Sequence, residues 1–113
     1  MKIIKEKLTL DELNQMAANM FGDMVKAVVD VDRELIAIDA ELHSDLEALL
    51  LEDGSKQSNL WGINLYPGAA EEEFVEFDSM INVRPSAGNR SRGVESEETR
   101  KKINTVIARR VER

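Results

Sequence analysis

Three groups of residues in this chain have the types and spacing to do chemistry. The first is His43-Ser44-Asp45-Leu46-Glu47, which holds the one histidine. In an extended backbone alternate side chains share a face, so His43, Asp45 and Glu47 would converge as ligands for a divalent metal or as an acid/base set. In a helix His43 and Glu47, four residues apart, stay neighbours while Asp45 turns away. The plainer reading is a loop-edge cluster in which Ser44 or Asp45 caps a turn and the imidazole is solvated, because short matches of this kind are frequent accidents. The second group is Arg84, Asn89, Arg90, Ser91 and Arg92, with Gly88 and Gly93 at its shoulders. Small residues let backbone N–H groups face a ligand, guanidinium forks suit phosphate or carboxylate, and the segment feeds into a helix start, a natural anion site. Its spacing fits neither a Walker loop nor a dinucleotide fingerprint. The plainer alternative pairs these arginines with nearby carboxylates and holds the loop against a sheet. The third group is Trp61 and Tyr66. They alternate onto opposite faces of one strand, which disfavours a joint stacking platform, and Trp61 reads as a core or interface anchor.

The elements that must position these groups are legible in the hydrophobic period. Thr9-Leu10-Asp11-Glu12 is a capping box. Leu10, Leu13, Met16, Ala17, Met20 and Phe21 then form one helical stripe that Gly22 ends. The methionines in it read as core filler rather than as an adaptable groove. From Met24 the period becomes two: Val25, Ala27, Val29 and Val31 face one way, and Leu35 to Leu42 repeats the alternation after a turn at Asp32-Arg33-Glu34. Asp30, Asp32 and Glu34 resemble the start of a calcium loop, but Leu35 stands where that loop requires glycine. Residues 44 to 53 support two readings. Ser44 with Glu47 and the spacing of Leu46, Leu49 and Leu50 suit a helix capped by Gly54; the Leu49-Leu50-Leu51 run before a turn suits a strand from about Leu46 to Glu52, which is the favoured expectation. Leu60 to Tyr66 is a strand, and Gly62 beside Trp61 marks a bulge or a place where something packs on backbone. Phe74 to Val83 is expected as a central strand, with apolar residues on both faces. Ser96 caps a last helix with Ile103, Val106, Ile107 and Val111 buried and Arg109, Arg110 and Arg113 at its far end. Met1 to Lys7 is a short edge strand whose lysines discourage mispairing.

Composition narrows the function classes. The chain has 113 residues, the size of one domain. It has no cysteine, which removes disulfides, thiolate zinc sites and thiol nucleophiles, so a metal site would be mostly carboxylate and carbonyl. A formal charge of −7 argues against broad nucleic-acid binding. A membrane span and a secretory leader are not expected, and a cytoplasmic location is. Hydrolase motifs of the G-x-S-x-G type are not found.

The blocks HSDLEALLLEDGSKQSNLWGINLYP and EFDSMINVRPSAGNRSRGVE resemble the two signature blocks of a family of small prokaryotic proteins, domain of unknown function fifty-six seventy-four. The resemblance spans nearly the whole chain. It implies a stand-alone prokaryotic domain and transfers no catalytic residue.

The expected fold is α+β, an antiparallel meander of four or five strands with the first and last helices packed on it. The expected function is a non-catalytic binding or interaction module using the polar loops 43–47 and 86–95. Its partner would be an unidentified protein or a small anionic ligand, with a homodimer as a further option. The alternative is a small metal-assisted hydrolase or nuclease acting on a phosphate-containing substrate, with His43, Asp45 and Glu47 at the metal and Arg90 and Arg92 as the clamp. A weaker third reading is an RNA-contacting surface on Arg109 and Arg110. No cofactor is indicated.

Overall fold

The computed structural model describes residues 1–113. Strands β1 (Lys2–Ile4), β3 (Val25–Asp30), β4 (Leu35–Ile38), β5 (Leu60–Leu65) and β6 (Val75–Glu76) form one antiparallel sheet in the order β1-β4-β3-β5-β6. A separate parallel pair joins β2 (Leu8–Thr9) to β7 (Val111–Glu112). The helices are α1 (Leu10–Asn19), α2 (His43–Glu52) and α3 (Glu97–Arg110). The α+β class and an antiparallel sheet of five strands are as expected, and β3, β4 and β5 lie where the hydrophobic alternation predicts strands.

Both helix ends expected from capping chemistry form. The Thr9 hydroxyl accepts from the backbone N–H of Glu12, and Ser96 does the same for Thr99. Gly22, at φ +94°, takes the left-handed turn after α1 and donates its N–H to Ala17. Strand β4 stops at Ile38, short of Leu42, because Asp39 enters the left-handed region at φ +73° and turns the chain out of the sheet.

Two segments differ from expectation. Residues 43–52 are the helix α2, so the favoured strand over Leu46–Glu52 is not what forms. The reason is tertiary. The sheet has two apolar faces: α1 and α3 cover the one bearing Ala27, Val29, Ile36 and Ile63, and the one bearing Val28, Ala37 and Leu60 needs its own cover. Leu46 and Leu50, one helical turn apart, supply it and are fully buried, which contributes about 1.5–3 kcal/mol each. The expected capping box at Ser44 is not made; Leu42 is the N-cap, with no side-chain bond. The second difference is Phe74–Val83. Only Val75–Glu76 pairs, at the sheet's edge rather than its centre, and a 3-10 turn follows at Met80–Asn82. Its apolar residues point two ways because the chain crosses from one layer to the other. Phe74 enters the α1/α3 core, whereas Ile81 packs toward α2.

Polar side chains tie the turns to the frame. Asp30, fully buried, accepts from the N–H groups of Asp32 and Arg33 and from the Ser55 hydroxyl. Arg33 reaches Ser55 at 2.9 Å and Asp53 at 2.7 Å, fastening the end of α2 to the β3–β4 turn. The calcium-like triplet is therefore a turn lock. At the far end of α3, Arg109 pairs with Glu34, and Arg110 donates to the carbonyls of Glu34 and Lys5. Those two arginines fasten α3 to the hairpin and the first strand.

Gly62 is where backbone approach is closest. A Cβ placed there would lie 2.5 Å from the Cβ of Ser79, itself buried. The expectation that something packs on this glycine holds. Gly62→Ala should therefore destabilise the chain by about 1–3 kcal/mol, the cost of overpacking a filled site. Urea unfolding would measure it, and an unchanged midpoint would contradict the close approach.

Candidate functional site

The two signature blocks meet along the outer edge of β5. Leu60, Gly62 and Asn64, two residues apart, turn their backbone groups to the same side, away from β3. A regular strand would cover that edge, but β6 reaches only Asn64 and Leu65. The rest is covered by side chains. Asn82 accepts from the Gly62 N–H through Oδ1 at 2.8 Å and donates to the Gly62 carbonyl through Nδ2 at 2.9 Å, so one amide side chain replaces a strand residue. Arg84 donates to the Leu60 carbonyl, to Gln57 at 2.8 Å and to Ile81 at 3.2 Å, and its guanidinium lies 4.4 Å from the Trp61 ring centre. Trp61 is a stacking support for that arginine, half-buried beside the α1/α3 core.

The loop over residues 84–95 is held by its own residues. Asn89 is buried; its Nδ2 donates to the carbonyls of Asn82, Ser91 and Gly93, and its Oδ1 accepts from the Glu95 N–H. The N–H groups of Arg90 and Ser91, the expected anion donors, both point at Glu95 Oε2, at 2.6 and 2.9 Å. The loop thus binds a carboxylate, and it is the chain's own. Those two N–H groups hold the Glu95 carboxyl below the usual carboxylate range. Arg92 pairs with Asp78 at 2.6 Å. Of the five residues in this group, Arg84 and Asn89 are spent on the fold, Ser91 and Arg92 are partnered locally, and Arg90 is exposed with no ion pair.

His43 opens α2 and is buried. Its Nε2 lies 2.8 Å from the Ile63 carbonyl; an oxygen acceptor requires that nitrogen to carry the proton, which fixes the neutral tautomer. Burial lowers its pKa; the Ile63 carbonyl and Asp78 oppose the shift, while the charges of Lys26 and Arg92 add to it. The helix separates the metal trio expected from an extended backbone: His43 points inward, Asp45 is exposed and Glu47 is half-buried. No three His, Asp or Glu side chains are grouped so as to hold a metal ion. Glu47 instead lies near Arg84, whose charge it favours.

Two residues that the sequence did not single out, Asn64 and Glu76, fasten β5 to β6. Asn64 donates to Glu76 Oε1 at 2.9 Å and to the Asp78 carbonyl at 3.3 Å, and Tyr66 donates its hydroxyl to the same Glu76 oxygen at 3.0 Å. Burial and the Glu76 carboxylate push the Tyr66 hydroxyl pKa up. Asn64 Oδ1 and Glu47 Oε2 are the two buried side-chain oxygens with no partner. The signal for Asn82 was present as a polar residue inside the apolar run Met80-Ile81-Asn82-Val83.

With this geometry in place, the chain can be set beside known proteins. The family model for a protein of unknown function, DUF5674, matches residues 2–110. The chain belongs to this family. No curated protein and no solved structure matches the chain significantly. Family membership therefore supplies no activity, and no helix is long and apolar enough to cross a membrane.

Two outcomes are expected. Asn82→Ala should cost about 2–6 kcal/mol, because it leaves the buried N–H and C=O of Gly62 unpaired at roughly 1–3 kcal/mol each; urea titration reads it, and a loss below that range would mean another group covers the edge. The second concerns pH. The folded-state pKa of His43 is depressed, so as pH falls through about 6.5 the unfolded chain binds a proton that the folded chain does not, and stability declines below neutrality. The depressed carboxyls of Asp53 and Glu95 act in the same direction, but their contribution is lost only below about pH 4. Unfolding midpoints between pH 8 and 5 should fall for the native chain and stay flatter for His43→Gln.

Proposed function

We propose that this chain is a non-catalytic binding module whose working surface is the corner where the 43–47 segment meets the 86–95 loop. The observation that carries this reading is that His43 Nε2 bonds the Ile63 carbonyl beside Gly62, while Asn82, from the second block, joins Gly62 to the Arg92 carbonyl. Two blocks distant in sequence thus supply one patch, over a sheet edge that the same blocks close. The patch is pre-ordered, because Asn82, Asn89 and Glu95 fix its backbone, so a ligand meets little ordering cost. Its free groups suit a polar anionic ligand: the exposed Arg90 guanidinium has no ion pair, and Lys26 flanks His43. His43 serves here as a fixed part of the frame: the ring is buried, its Nε2–H is spent on the Ile63 carbonyl, and Nδ1 is left as an acceptor with no proton to give an anion. A cytoplasmic protein of prokaryotes, acting as one domain, is the setting that this reading assumes.

The test is an NMR titration of the 15N-labelled chain with inorganic phosphate and with citrate. Shifts should gather at His43, Arg90 and Arg92, and Arg90→Ala should weaken binding about tenfold, the worth of one charge-assisted hydrogen bond. Shifts scattered over the surface, or an indifferent Arg90→Ala variant, would remove the corner as the binding site.

A further inference from the structure

The free edge of β6 lies between two clefts of different chemistry. The Tyr66 N–H donates to the Phe74 carbonyl, so in the antiparallel alternation the next pair, Leu65 and Val75, is not hydrogen-bonded. Val75 therefore turns its N–H and C=O outward, and β6 has no strand on that side. Beyond it the edge is shielded, where Gly93 lies against the Phe77 carbonyl, so the open stretch is short and centred on Val75. On the α3 side of this edge a cleft of about 360 Å³ has an apolar floor of Phe74, Val75, Phe77 and Ile107, and exposed Glu71, Glu72 and Ala108 also line it. On the opposite side a cleft of about 400 Å³ is lined by Tyr66, Glu73 and Glu76. The rim is acidic: Glu71, Glu72, Glu73 and Glu76 are all exposed, and the cation beside them, Arg113, is 3.8 Å from Glu71 and stacked 4.3 Å from the Phe74 ring centre.

We propose that β6 accepts one further strand from a partner protein, an extended segment whose alternate side chains are apolar toward α3 and basic toward Glu73 and Glu76. The period-two alternation of an added strand sends successive side chains into the two clefts, and main-chain bonds to Val75 set its register. Charge fixes the polar half of the alternation: carboxylates outnumber the cation at this rim, so lysine or arginine is favoured there and acidic side chains are repelled. This surface is separate from the His43 corner, and its occupancy does not depend on anion binding there.

The probe is a blocked hexapeptide of alternating valine and lysine, titrated into the 15N-labelled chain. Shifts should centre on Val75, Glu76 and Ala108, and Ala108→Trp, an exposed position that fills the apolar cleft, should weaken binding at least about tenfold. Glu73→Lys, at an exposed position, should weaken it in the same direction without altering the unfolding midpoint. A peptide of the same composition with its valines and lysines in two blocks should bind more weakly; equal binding would reduce the effect to bulk charge and overturn the proposal. Absence of shifts at Val75 would also overturn it. So would doubling of the chain's mass in solution with Val75 protected before any peptide is added, because the edge would then be filled by a second copy.

Discussion

The amide of Asn82 against the backbone of Gly62 is the contact on which the rest of this molecule depends. A sheet edge with unpaired N–H and C=O groups is both unstable when buried and an invitation to aggregation. Here a side chain closes it, which requires Gly62 to have no Cβ, Ser79 to fill the space beside it, and the chain to leave strand geometry after Glu76. The loop that follows is ordered by the same atoms: Asn82 also donates to Arg92, and its carbonyl accepts from Asn89. Much of what sets the second signature block apart is accounted for by this one job.

That accounting changes what the polar residues mean. Arginines, asparagines and glycines next to a helix start read as an anion site, and the geometry does hold an anion, the carboxylate of Glu95. Self-satisfied loops of this kind are rigid, and rigidity is what lets the exposed remainder, chiefly Arg90, present a fixed direction to solvent. The same economy operates at Asp30 and Arg33, where residues suited to metal binding lock a turn.

How much of this was legible in the sequence follows from how local each signal is. The ends of α1 and α3 were, because Thr9, Ser96 and Gly22 act on backbone groups within three to five residues. Strands β3, β4 and β5 were, because period-two alternation is also local. Helix α2 was not settled, since Leu46, Leu49 and Leu50 fit a short helix and a strand alike, and the choice is made by Val28, Ala37 and Leu60 on a sheet face assembled from distant segments. The break after Glu76 escaped for the same reason: the run Phe74–Val83 has strand-like composition, and only Gly62, more than ten residues away, shows why it must bend. In the candidate site polar residues such as Arg84 and Asn89 could be named from their types, but their partners could not, because a hydrogen bond such as that between Asn82 and Gly62 leaves no trace in spacing.

The parallel pairing of Leu8–Thr9 with Val111–Glu112 has a consequence for biosynthesis. A polypeptide leaves the ribosome from its amino end, so Leu8, fully buried in the finished structure, has no strand partner until Val111 has been translated. The clasp between these two segments can close only after the other strands and all three helices have been made. Until then the first helix rests on a sheet whose hydrophobic lining is only partly sealed, and that interval is when a nascent copy is most exposed to its neighbours.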